Sequence, residues 1–210
     1  MCRMRDKRVL PVAPSNRRRY VRSVARPLRI QLAGGTDHVT ARGNRRQPIF
    51  LDSDDHYFHT WCLRQTTERF GFAVLAWVHM TNHFHMLVRT AEANLSQGMH
   101  WLNGLYAQFF NDRHGFTGTG HLFQDRFHSV LIEDESHLIA ASRYDDFNPV
   151  RAGLCEHPLA WRWSSCRAMC GLSVSQFVDV GWLLRQLAND REQAHARYLE
   201  LIEARMLELA

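Results

Sequence analysis

Two histidines one residue apart, His83-Phe84-His85, are where side-chain types and spacing first suggest chemistry in this chain. On a β-strand, positions i and i+2 project from the same face. The two imidazoles would then stand side by side as two-thirds of a metal site, with Phe84 turned into the opposite layer. Alone the pattern is weak, because 13 histidines among 210 residues give about one such pair by chance. Tyr144 and Asn148 form a second pair, spaced so that a helix would set them one turn apart on one face. The small neighbours Ala140 and Ala141 leave room for a bulky group to approach the phenol. A phenol keeps its proton at neutral pH, so a tyrosine that attacks phosphate needs help, which a divalent ion polarising the phosphate can supply. Two imidazoles and one amide oxygen give three protein ligands and leave positions open for substrate. Mixed nitrogen and oxygen donors suit Mg2+, Mn2+ or a later transition metal. Taken singly, each motif is also satisfied by hydrogen-bonded histidines and a tyrosine that only packs.

For these groups to meet, the helix of Tyr144 must lie on the sheet face that shows His83 and His85. The residues between them permit this. Thr36–Arg42 is rich in β-branched residues and reads as a strand. A basic loop, Arg42-Gly-Asn-Arg-Arg46, follows, and Asp52-Ser-Asp-Asp55 offers a helix cap. The helix should run to about Phe70, with Phe58, Trp61, Cys62 and Leu63 inward, and end at Gly71. Strands are expected over Phe72–Val78 and His83–Val88, joined by a bend at Met80–Asn82. A helix over Leu95–His114 should turn Trp101, Leu102, Leu105, Phe109 and Phe110 inward. A loop, a strand over Arg126–Ile132 and a helix capped by Asp134 or Ser136 complete the series, with Pro149 stopping that helix after Asn148. The order β-α-β-β-α-β-α predicts an α+β protein built on a ferredoxin-like antiparallel sheet with helices on one face. Residues 26–154 would form this domain, and residues 155–210 a small helical C-terminal appendage.

Charge is unevenly spread. Residues 1–30 carry ten basic side chains against the single acid Asp6, a net +9, and the whole chain is +5, which leaves −4 for the remainder. Residues 1–25 therefore read as an unstructured basic arm suited to a polyanion. The odd count of five cysteines, with no CxxC pair, fits reduced thiols. No apolar run approaches a membrane span and the N-terminus has no apolar stretch of a secretory signal, so no membrane partner and a cytoplasmic location are expected.

Six stretches, in order, resemble the REP-associated tyrosine transposases of the HUH single-strand transposase superfamily. They are PLRIQLAGGTDHVTARGNRRQPIF (27–50), MTNHFHMLV (80–88), LNGLYAQFFNDRHG (102–115), GHLFQDRF (120–127), RYDDFNPVRAGL (143–154) and WRWSSCRA (161–168). The resemblance implies that His83 and His85 are paired metal ligands, Asn148 the third ligand and Tyr144 the nucleophile, with Mg2+ or Mn2+ as the ion. It implies cleavage of single-stranded DNA near a hairpin, a 5′-phosphotyrosine link and rejoining by a 3′-OH. Arg42, Arg45, Arg46 and Arg126 are candidate phosphate contacts and Phe123 a candidate stacking surface for a base. The long C-terminal segment favours a monomer. Family members usually carry proline at Thr81, and an apolar or histidine-bearing run at Asp145-Asp146. An acidic pair beside the nucleophile would either repel phosphate or face solvent. If it repels, the chain is a hairpin-binding relative that no longer cuts. An RNA-binding ferredoxin-like module is less well matched, since such modules show aromatic residues on the central strands.

Overall fold

In the computed structural model, which describes residues 30–209, four strands form one antiparallel sheet. They are β1 (Thr36–Arg42), β2 (Phe72–His79), β3 (His83–Thr90) and β4 (His128–Leu131), in the spatial order β2-β3-β1-β4. Helix α1 (Ser53–Phe70) links β1 to β2 and α2 (Leu95–His114) links β3 to β4. The expected α+β class, with its interleaved βαβ units, is therefore present. The basic arm expected over residues 1–25 and the first residues of the domain lie outside the described residues.

Strand alternation divides the sheet into two faces. On one, Val39, Ala41, Phe84, Met86 and Val88 pack with Cys62 and Leu63 of α1 and Leu102 and Tyr106 of α2. Asp52 opens α1 by accepting from the backbone N–H groups of Asp54 and Asp55, and Gly71 closes it at φ 66°, where a side chain would be strained. Trp61, expected inward, is 47% exposed. The buried stripe runs through Asp55, His56, His59, Cys62, Leu63 and Thr66, which leaves Trp61 on the flank beside Phe58. Three histidines share this core. His59 and His79 are fully buried and His56 nearly so, inside a box of Phe50, Phe84, Tyr106 and Trp163.

The other face is covered by α3 (Glu135–Arg151) and by α4 (Cys166–Met169), α5 (Val180–Leu184) and α6 (Arg191–Leu209). Leu75 and Leu87 of the sheet meet Leu138 and Phe147 of α3, Leu183 of α5, and Tyr198 and Ile202 of α6. The C-terminal stretch also borders β2. His79 donates to the Trp163 carbonyl at 2.9 Å, Ser165 to that of Trp77 at 2.9 Å, and Asp179 to that of Val74 at 2.8 Å. β4 is two residues shorter at its start than Arg126–Ile132, because Phe127 turns into the core.

Helix α3 does not stop before Pro149 but runs on to Arg151. Proline removes the one N–H that would bond the carbonyl four residues back. In the last turn the cost is small. Ala152 still reaches the Asn148 carbonyl at 3.0 Å, and Leu154 donates to the carbonyl of Pro149 itself at 2.9 Å.

Candidate active site

His83 and His85 lie on the β3 face that looks toward α3, opposite Arg42 and Thr40 of β1 in the antiparallel register. Their rings are 5.0 Å apart, centroid to centroid, and nearly perpendicular. Each has its Nδ1 engaged. That of His83 donates to the Asn82 side-chain oxygen at 2.7 Å, and that of His85 meets the Thr40 hydroxyl at 3.0 Å. With Nδ1 held in this way, Nε2 is the ring nitrogen that could hold a cation, an arrangement common behind metal-binding histidines. Burial, reinforced by Arg42, lowers the His83 pKa to about 4. Burial, then His83, His38 and Arg42, lowers that of His85 to about 2. Both rings are neutral at pH 7, the state in which imidazole binds a cation.

Helix α3 brings Tyr144 to this face. Asp134 caps its start by accepting from the His137 N–H at 2.7 Å, and Leu138, Ala141 and Phe147 anchor it to the sheet. The Tyr144 ring is 6.0 Å from His85 and 6.3 Å from His38, both edge-on, and is 45% exposed. The Arg151 guanidinium lies 4.9 Å from its centroid. Asn148, one turn beyond Tyr144, is partly buried, and its amide nitrogen has no hydrogen-bond partner.

Asp145 and Asp146 neither face solvent nor confront substrate, as the sequence had suggested; both are buried. Asp145 accepts from His38 Nε2 at 2.9 Å, and the same oxygen is 3.6 Å from His85 Nδ1. Burial opposes charge on His38, but the hydrogen bond and charge of Asp145 outweigh it and raise the His38 pKa. Burial raises that of Asp145 against the pull of His38. Asp146 accepts from the Tyr198 hydroxyl of α6 at 2.6 Å, and Ser142 shares that hydroxyl at 2.7 Å. Burial, helped by Asp145, lifts the Asp146 carboxyl to about 7.

Sequence reasoning missed His38. It offers one ligand atom that lies, with those of His85 and Asp145, inside a mutual 4.8 Å. Its place follows from the strand register: His38 and Thr40 share one face of β1, and His38 pairs with Leu87, two residues from His85.

The loop after β1 reaches the same edge of the sheet. Asn82, which holds His83, also donates from its amide to the Arg46 carbonyl at 2.9 Å. Arg45 and Arg46 are exposed and adopt left-handed backbone, at φ 53° and 59°. Gly43 makes the turn possible, because a Cβ there would sit 2.2 Å from the Gln47 carbonyl oxygen. Arg42 is partly buried beside His83, and Arg126 is exposed. Phe123 is half-buried, its ring near Phe84 at 6.3 Å and Tyr106 at 6.5 Å.

Residues 34–144 match the family model of IS200-like transposases, a stretch that holds both histidines of β3 and ends on Tyr144. No curated protein matches the chain. Among solved structures, a REP-associated tyrosine transposase bound to a REP hairpin superposes with a TM-score of 0.60 at 16% identity, over 74% of this chain and 98% of the other. A putative transposase of Deinococcus radiodurans gives 0.41 at 15% identity, over 55% and 89%. The first shares the sheet and its helices, and the likeness is one of fold. The family match spans more than half of the chain and falls on the strands and helices that build the site, so the chain belongs to the IS200-like transposases.

Proposed function

We propose that this transposase cuts and rejoins single-stranded DNA through Tyr144, with a divalent ion held by His83, His85 and Asn148. One observation carries the reading: two neutral imidazoles, each fixed through Nδ1, stand beside a half-exposed tyrosine whose ring is 6.0 Å from His85. Asn148, one helical turn after Tyr144 on α3, is the proposed third ligand through its side-chain oxygen. The His38–Asp145 pair is read as support, a carboxylate behind the ligating His85 that fixes its ring. When bound, Mg2+ or Mn2+ would polarise the scissile phosphate and favour in-line attack.

The phenol oxygen of Tyr144 then forms a bond to phosphorus as the bond to the 3′ oxygen breaks. The phenol loses its proton, the departing 3′ oxygen gains one, and the 5′-phosphate stays on the protein. Attack by another 3′-OH reverses these events and frees the tyrosine. Each step exchanges one phosphoester for another, so neither water nor ATP is consumed. Hairpin DNA is the proposed partner, in keeping with the REP hairpin held by the structural neighbour of the same fold. Arg42, Arg45, Arg46 and Arg126 are the proposed phosphate contacts, and the exposed part of Phe123 a surface for a base. The long C-terminal segment, packed along β2 and α3, favours a monomer, and the DNA substrate favours a cytoplasmic location. The non-cutting alternative loses its ground, since the acidic pair that argued for it is buried and hydrogen-bonded.

Incubation with a single-stranded hairpin oligonucleotide and Mn2+ tests the reading. A denaturant-resistant protein–DNA band is expected, absent in Tyr144→Phe and absent with EDTA. A wild-type protein that binds the hairpin yet never yields the band would refute it.

A further inference from the structure

Tyr144 forms part of the wall of a second feature on its far side. Ala140, Arg143, Tyr144, Phe147 and Arg151 recur at helical spacing along one face of α3, and with Arg205 and Glu208 of α6 they line an open groove of about 350 Å3. Three guanidinium groups face one carboxylate there. Glu208 is occupied by a salt bridge to Arg205. Arg151 lies over the tyrosine ring, and the Arg143 Nε is buried with no hydrogen-bond partner. A buried guanidinium donor left unpaired is costly and suits an anion that the protein does not itself provide. Nothing in the transfer chemistry derived above uses Arg143 or Arg205, and Arg205 lies well beyond the matched residues 34–144.

We propose that this groove binds the phosphodiester backbone of the DNA strand whose 5′-phosphate becomes joined to Tyr144. The inference rests on the proposed role of Tyr144 for its direction along the strand, but not for its charge. A strand whose scissile phosphate meets the phenol must leave the site along some path, and the groove begins at the tyrosine ring itself. Its cations are arginines, whose planar forks suit phosphate oxygens. Its polar lining is three guanidinium groups and one carboxylate already paired, which suits backbone and not sequence. Holding the tethered strand there would keep the phosphotyrosine in place while the freed 3′ end is exchanged.

The test is the salt dependence of binding of the full chain to a fluorescein-labelled oligothymidylate, followed by anisotropy without divalent metal. Each single-strand phosphate contact adds about 0.7 to the slope of log affinity against log salt. Arg205→Ala and Arg143→Ala are each expected to weaken binding and lower the slope by about that amount, and Arg205→Lys to retain it. Arg69→Ala, at the end of α1 on the opposite sheet face, should leave both unchanged. Wild-type affinity and slope in Arg205→Ala would overturn the proposal. This variant decides alone if Arg143→Ala does not fold, because Arg205 is on the surface of α6. The hairpin adduct assay separates the two readings. A changed slope without any adduct leaves the groove standing and removes the enzyme, whereas an adduct with an unchanged slope does the reverse.

Discussion

Asp145 is the residue whose role differs most from its appearance in the sequence. Set beside the nucleophile, it looked like a charge that would repel phosphate, yet it is buried between His38 and His85. The misjudgement has a simple geometric source. A helix lying flat on a sheet turns one neighbour of any half-exposed residue inward, and adjacency in sequence does not say which. His83 and His85 were legible because their spacing is local to one strand. His38 was not, since its partner lies 107 residues away. If Asp145 steadies His85 from behind, Asp145→Asn should weaken Mn2+ binding by about 10–100-fold, measured by calorimetric titration. Unchanged affinity would remove that role, and complete loss would instead make Asp145 a ligand together with His38 and His85.

Most elements could be read from pattern, because α1 and α2 end on glycines, β1 alternates along its length, and β2 and β3 are short apolar runs. The end of α3 could not, because the rule that proline stops a helix weakens in the final turn, where few bonds remain to be lost. What pins α3 was also hidden. The Tyr198 hydroxyl of α6 bonds both Asp146 and Ser142, a contact 52 and 56 residues distant in sequence. Tyr198→Phe keeps the ring but strips Asp146 and Ser142 of this partner in the interior. We expect a loss of about 1–3 kcal/mol in stability, read from urea unfolding. If the pair also sets the pose of Tyr144, adduct formation should slow in the folded variant while oligothymidylate binding stays intact.

At the scale of the whole molecule, the buried histidines make stability depend on acidity. Burial lowers His56 to about 4, with Asp55 and Asp52 opposing and Arg162 reinforcing. Burial, then His56, lowers His59 to about 3, and His79 is likewise held well below 6.5 by burial and its two neighbours. All three are neutral when folded but take up protons when unfolded near pH 6.5, so stability should be full above that pH and decline as pH falls toward 4. Urea midpoints between pH 7.5 and 4.5 (roughly the range in which an unfolded histidine titrates) would show it, and a flat profile would contradict it. His59→Leu should make the profile shallower, since His56 and His79 remain, without loss at pH 7, because both ring nitrogens of His59 lack partners. The strip from Trp163 to Asp179 does a different service along β2, where its backbone satisfies groups that would otherwise be open to solvent. A protein truncated after residue 154 would expose that rim as a template for strands of other copies. Such a fragment should scatter light and form concentration-dependent aggregates, so the tail that looks dispensable for catalysis would be what keeps one molecule from adhering to the next.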